Sequence, residues 1–103
     1  MSLPKLTEQQ RHEALEKAKA VRRERCAFRA AVKAGNIPFE AALDAPIAQK
    51  MHVVRLLESL PGIGSARAER IMAKVGIDPT RRVRGLGNRQ RAALLSVVEG
   101  ALR

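Results

Sequence analysis

Leu60-Pro61-Gly62-Ile63-Gly64-Ser65-Ala66-Arg67-Ala68-Glu69-Arg70 decides how this chain is read. Apolar residues at helical spacing precede it (Val53, Leu56, Leu57, Leu60) and follow it (Ala68, Ile71, Met72, Val75), so two helices meet at a Gly-x-Gly turn. Glycine lets the backbone enter φ > 0 and leaves no side chain in the way. Main-chain amides of such a turn can point outward together, beside the positive N-terminal end of the next helix. A phosphate fits there without any particular base. The plain alternative is a structural turn, with Ile63 as a core anchor that pins it.

Working outward, the sequence predicts helices and no strands. Thr7-Glu8-Gln9-Gln10 has the form of a capping box, with Thr7 as N-cap. A helix then runs to about Lys33 and stops at Gly35. At ~1.5 Å per residue it is ~40 Å long. Its first half has only Leu15 and alanines to bury and is expected to project; its second half packs through Phe28 and Val32. Pro38 is expected in the first turn of a short helix ending at Ala45-Pro46. Residues 47–51 are ambiguous. Ser65 is expected to cap the helix after the hairpin, and Gly76 to end it. Asp78-Pro79 reads as the start of a short helix through Arg82 or Val83. Gly85-Leu86-Gly87 is a second Gly-x-Gly turn, and Asn88 is expected to cap a last helix over 89–98, closed at Gly100. The expected fold is all-α, divided into an arm and long helix over 1–35 and a helical body over 36–103.

The chain of 103 residues carries a net charge of +10. Residues 1–34 hold nine Lys/Arg against four Asp/Glu, and residues 61–103 hold nine against three. Two basic blocks on either side of a near-neutral middle suggest two contact surfaces for a polyanion. The last block contains Arg81-Arg82-Val83-Arg84-Gly85, whose cations repel one another unless an anion sits among them. On the long helix, Arg11, Arg22, Arg25, Arg29 and Lys33 fall within about a quarter of the circumference at ~100° per residue. Arg22, Arg23 and Arg25 are its densest part. A solvated face with Glu13–Lys17 and Glu16–Lys19 pairs is the competing reading.

Other chemistries find little support. His12, His52 and Cys26 are scattered, with no ligand spacing and no nucleophile–base arrangement. No metal, cofactor or catalytic residue is expected. No apolar stretch approaches a membrane span, and there is no signal-peptide core, so a soluble intracellular protein is expected. Phe28 and Phe39 are the only aromatics, and both sit on apolar faces. Single-strand and RNA-loop binders stack bases on aromatic side chains, so duplex binding through phosphates is favoured. No Asn/Gln/Arg cluster marks a major-groove recognition helix, and strong base reading is not expected.

From residue 3 to about 98 the chain resembles the actinobacterial integration host factor family, which despite its name is unrelated to the two-subunit, β-armed proteins. The resemblance rests on Leu3-Pro4-x-Leu6-Thr7, Ala14-Leu15-Glu16-Lys17-Ala18, Arg22-Arg23 and Lys50-Met51. More specific still are Leu56-Leu57-Glu58-Ser59-Leu60-Pro61-Gly62-Ile63-Gly64 and Pro79-Thr80-Arg81-Arg82-Val83-Arg84-Gly85-Leu86-Gly87. It implies a monomeric nucleoid-associated protein with a helix-two-turns-helix motif, akin to that of ribosomal protein S13 and of formamidopyrimidine-DNA glycosylases. Such proteins bind duplex DNA with little sequence preference, shape its topology and assist phage integration. On this basis the hairpin contact maps to Pro61, Gly62, Ile63 and Gly64, with Ser65 and Arg67 beside it. The arginine patch maps to Arg81, Arg82 and Arg84, and a second contact to Arg22, Arg23 and Arg25; Gly85 beside the patch and Arg29 on the basic helix face are added as candidates from the residues themselves. The chain departs from the family at Ser65 and His52, where lysine is usual, and in a shorter segment between Gly35 and Lys50. An S13-like RNA binder is the nearest rival reading, but would be expected to carry a long basic tail after the last helix. A glycosylase would need a Pro-Glu start and a zinc finger, and the sequence has neither.

Overall fold

The Thr7 hydroxyl accepts the Gln10 amide at 3.1 Å, and the Gln10 side-chain oxygen accepts the Thr7 amide at 2.9 Å. This reciprocal cap launches α1 (Glu8–Lys33). In the computed structural model, which describes residues 7–102, α1 is followed by α2 (Phe39–Asp44), a 3₁₀ turn (Pro46–Ala48), α3 (Val53–Glu58), α4 (Ser65–Val75), a second 3₁₀ turn (Val83–Gly85) and α5 (Asn88–Ala101). The described residues contain no strand, only an isolated antiparallel bridge between His52 and Arg82.

The hydrophobic pattern of α1 explains its two halves. Phe28 and Val32 are buried against the body. Leu15 and Val21 are left 49% and 44% exposed, so the N-terminal half of the helix stands clear, as the sequence implied. The C-terminal half is further held by the Arg29 guanidinium, whose Nε donates to Ser59 Oγ at 3.0 Å. The helix ends with Gly35 at φ +81°, where the Asn36 amide reaches back to the Ala31 carbonyl.

The body is built around α4, which packs against both α3 and α5. Leu56 and Leu57 of α3, Ala68, Ile71 and Met72 of α4, and Leu94 and Val98 of α5 bury their side chains in one core, joined by Leu43 and Val53. The core is mostly aliphatic, completed by Met51, Met72 and the two phenylalanines, Phe28 and Phe39.

Five local expectations are corrected. Pro38 is the N-cap of α2 rather than a first-turn residue. Gly64, not Ser65, is the N-cap of α4, because Gly64 is extended (φ −89°, ψ −177°) and its carbonyl already accepts the first helical bond, from Ala68. Gly87 rather than Asn88 caps α5, its amide meeting Gln90 Oε1 at 3.2 Å, and α5 runs through Gly100 to Ala101. Residues 78–82 form no helix. Asp78 closes a tight turn on the Thr80 amide, and the chain then pairs with residues 49–53.

Candidate nucleic-acid interface

The hairpin is anchored from below. Ile63 is 4% exposed, and its amide donates to the Leu60 carbonyl at 3.3 Å. This leaves Pro61, Gly62 and Gly64 on the surface. Gly62 alone in the hairpin has positive φ (+78°), so it is the residue that turns the chain. Beyond Gly64, the amides of Ser65, Ala66 and Arg67 precede the first intrahelical bond and form the open first turn of α4. Ser65, at the first helical position, adds a hydroxyl beside them. Arg67 is partly committed to the fold: its guanidinium donates to the carbonyls of Gly62 and Ala101, each at 3.3 Å.

The arginine connector is fixed through its main chain. The Val53 amide donates to the Arg81 carbonyl at 2.9 Å, the Val83 amide to the Met51 carbonyl at 2.9 Å, and the Arg84 amide to the Gln49 carbonyl at 3.1 Å. Val83 is buried, and Arg81, Arg82 and Arg84 are exposed around it. Three guanidinium groups thus project from a backbone with little freedom, around an open depression of about 410 Å³ shared with Asp78, Thr80 and Gly85. The Arg81 side chain lies over Gly85, with Nη1 3.4 Å from its carbonyl. A Cβ at Gly85 would come within 3.1 Å of Arg81 Cδ. Arg82 Nη1 donates to the Lys50 carbonyl. Hydrogen bonds from the Thr80 hydroxyl and amide, aided by the nearby Arg81 charge, hold the Asp78 carboxyl below its usual range.

On α1 the predicted basic stripe divides. Arg22 and Arg23 are exposed, Arg22 leaning back on the Ala18 carbonyl. Arg25 is half-buried, and its Nε has no hydrogen-bond partner. It lines a groove of about 350 Å³ with Val21, Gln49, Lys50 and Arg84, so α1 and the connector meet there. Lys50, which the sequence reading reached only through the family resemblance, is the third cation of this groove. Arg29 is turned inward to Ser59, and the Ser59 hydroxyl in turn donates to the Arg55 carbonyl at 2.9 Å. Arg29 therefore docks α1 on the end of α3 instead of standing in a free stripe.

The hairpin and the connector lie toward opposite ends of α3: Val53, its first residue, is bonded to Arg81, and Leu60, two residues past its end, accepts from the Ile63 amide. Among the described residues, no cluster of three or more His, Cys, Asp or Glu could hold a metal ion. No described helix is long and apolar enough to cross a membrane.

Residues 38–97, from the start of α2 into α5, match the S13-like H2TH domain. Over 99 residues the chain is 48% identical to the integration host factors of Mycolicibacterium smegmatis and Mycobacterium tuberculosis, covering 92% of this chain and 94% of each relative. It is 46% identical to that of Streptomyces coelicolor over 91% of this chain and 92% of the relative. A solved structure of sIHF bound to an 8 bp palindromic DNA superposes with a TM-score of 0.75 at 42% identity, covering 80% of this chain and 97% of that one. With its helix-two-turns-helix body and long basic first helix, the chain belongs to the integration host factor family of mycobacteria and streptomycetes.

Proposed function

We infer that this protein is a non-enzymatic, nucleoid-associated protein that binds duplex DNA through its phosphate backbone with little base preference. The observation that carries the reading is the connector, whose backbone is bonded to the body while Arg81, Arg82 and Arg84 stay exposed. Ordering arginines in this way before binding lowers the entropy lost on gripping a phosphate. A DNA-bound structure of a related chain supports the same reading. Pro61, Gly62, Gly64 and the amides of Ser65 and Arg67 take one phosphate, over the buried Ile63. Arg81, Arg82 and Arg84, with Gly85, take another. Arg22, Arg23 and Arg25 on α1 take a third stretch, where Arg25 joins Arg84 and Lys50 across one groove.

In this account the arm and long helix (1–35) and the body (36–103) each contribute a basic surface. Neutralising the backbone on two sides bends or compacts DNA and assists site-specific integration within an integrase–DNA complex. The protein works as a monomer in the cytoplasm, on the nucleoid. Competition between a duplex DNA and a structured RNA of equal length tests the reading. Preferential retention of DNA is expected; preferential retention of RNA would transfer the function to the S13-like alternative.

A further inference from the structure

One strongly basic surface, built mainly on Arg70 and Lys74, remains outside the contacts described so far. Arg67, Arg70 and Lys74 project from α4 within ~60° of one another at ~100° per residue. They line a groove of about 460 Å³ whose far wall is Ser96, Val97, Gly100 and Ala101 of α5. No carboxylate lines it. Glu69, the acidic residue of α4, lies on the other side of the helix, against Val54, Met72 and Pro79. Among the described residues, none of the salt bridges draws on α4. The α5 wall is kept low by small residues. Gly100 has a helical backbone and no atom within 4 Å of where its Cβ would stand, so the fold itself does not require glycine there.

We propose that the groove between α4 and α5 is an additional seat for the DNA phosphate backbone, with Arg70 and Lys74 as its principal cations and Arg67 linking it to the hairpin. The inference rests on the duplex-binding reading above. DNA is favoured over an acidic protein segment because Arg67, which lines the groove, also donates to the Gly62 carbonyl of the hairpin and so joins the two surfaces. Its cations are also spaced along the helix axis by ~4.5 and ~6 Å, a distribution suited to a chain of phosphates.

The test uses the full chain and a duplex of about 24 bp. Arg70→Ala/Lys74→Ala is expected to weaken binding about tenfold and to flatten the dependence of log K on log[salt] by about two units. Arg70→Lys should restore most of the Arg70 contribution, and Ser96→Glu, a negative charge added on the facing wall, should reproduce the loss. Unchanged affinity and slope in the double variant would overturn the proposal. So would loss of poly-L-glutamate binding with DNA binding intact, which would assign the groove to an acidic protein. A parallel Arg81→Ala/Arg82→Ala/Arg84→Ala variant separates the two readings. If that variant loses DNA while the α4 variant does not, only the groove assignment fails; if it keeps full affinity, the duplex-binding reading itself fails.

Discussion

The main-chain amide of Val53, the first residue of α3, donates to the carbonyl of Arg81 at 2.9 Å. That bond, with those from Val83 and Arg84 to residues 49–51, makes the arginine connector part of the body. The three guanidinium groups of the connector are not equivalent. Arg82 also holds the Lys50 carbonyl, whereas among the described residues no side-chain bond is seen for Arg84. Arg82→Ala should lower the stability of the free protein by about 1 kcal/mol, the worth of one such bond, while Arg84→Ala leaves it unchanged. Thermal unfolding without DNA, set beside binding measurements, separates the two. Equal stability loss in both variants would contradict this division.

The two hairpin glycines should fail differently. Gly62 sits at φ +78°, so Gly62→Ala is expected to cost about 1 kcal/mol of folding stability from backbone strain. Gly64 has an ordinary extended backbone and open space around it. Gly64→Ala should fold normally and still weaken DNA binding, because the new methyl would stand in the path of the phosphate proposed for the hairpin. A Gly64→Ala variant with full affinity would show that the hairpin is only a turn.

Arg29 and Ser59 join α1 to the end of α3 from thirty residues apart in sequence. Ser59→Ala removes a buried acceptor and should destabilise the protein by about 1–2 kcal/mol. It should leave the salt dependence of DNA binding unchanged. A flattened salt slope in Arg29→Ala would instead return Arg29 to the contact surface.

Asp78 predicts an acid limit for the connector turn. Its carboxyl, ordinarily titrating at 3.8, is held lower in the folded protein by the Thr80 hydroxyl and amide and by Arg81. Its contribution is therefore complete above that ordinary value and disappears as pH falls through the depressed folded one. Asp78→Asn should flatten the acid side of the stability profile below about pH 4. Identical profiles for the parent and the variant would rule this out.

Much of the fold was legible because it is local. The capping box at Thr7, the stop at Gly35, the projecting half of α1 and the buried Ile63 all follow from neighbours within a few residues. What could not be read depends on distant partners. The stretch Asp78–Arg82 has helix-start chemistry, but its hydrogen bonds go to residues 49–53, and no local pattern records that pairing. Arg29 shares a helical face with Arg22 and Arg25, and only Ser59, brought close by the fold, takes it out of the stripe. Gly100 reads as a stop, yet α5 continues past it while Val98 is buried and Arg67 meets the Ala101 carbonyl. The basic groove on α4 went unread because its second wall comes from another helix.

The most direct measurement is a salt titration of binding to several unrelated duplexes, with the parent protein and with Arg81→Ala/Arg82→Ala/Arg84→Ala. For about six neutralised phosphates the parent slope of log K against log[salt] should be about −5. The triple variant should bind every sequence more weakly and flatten that slope by about three units. Parent-like affinity and slope in the triple variant, or a loss confined to particular sequences, would contradict the account.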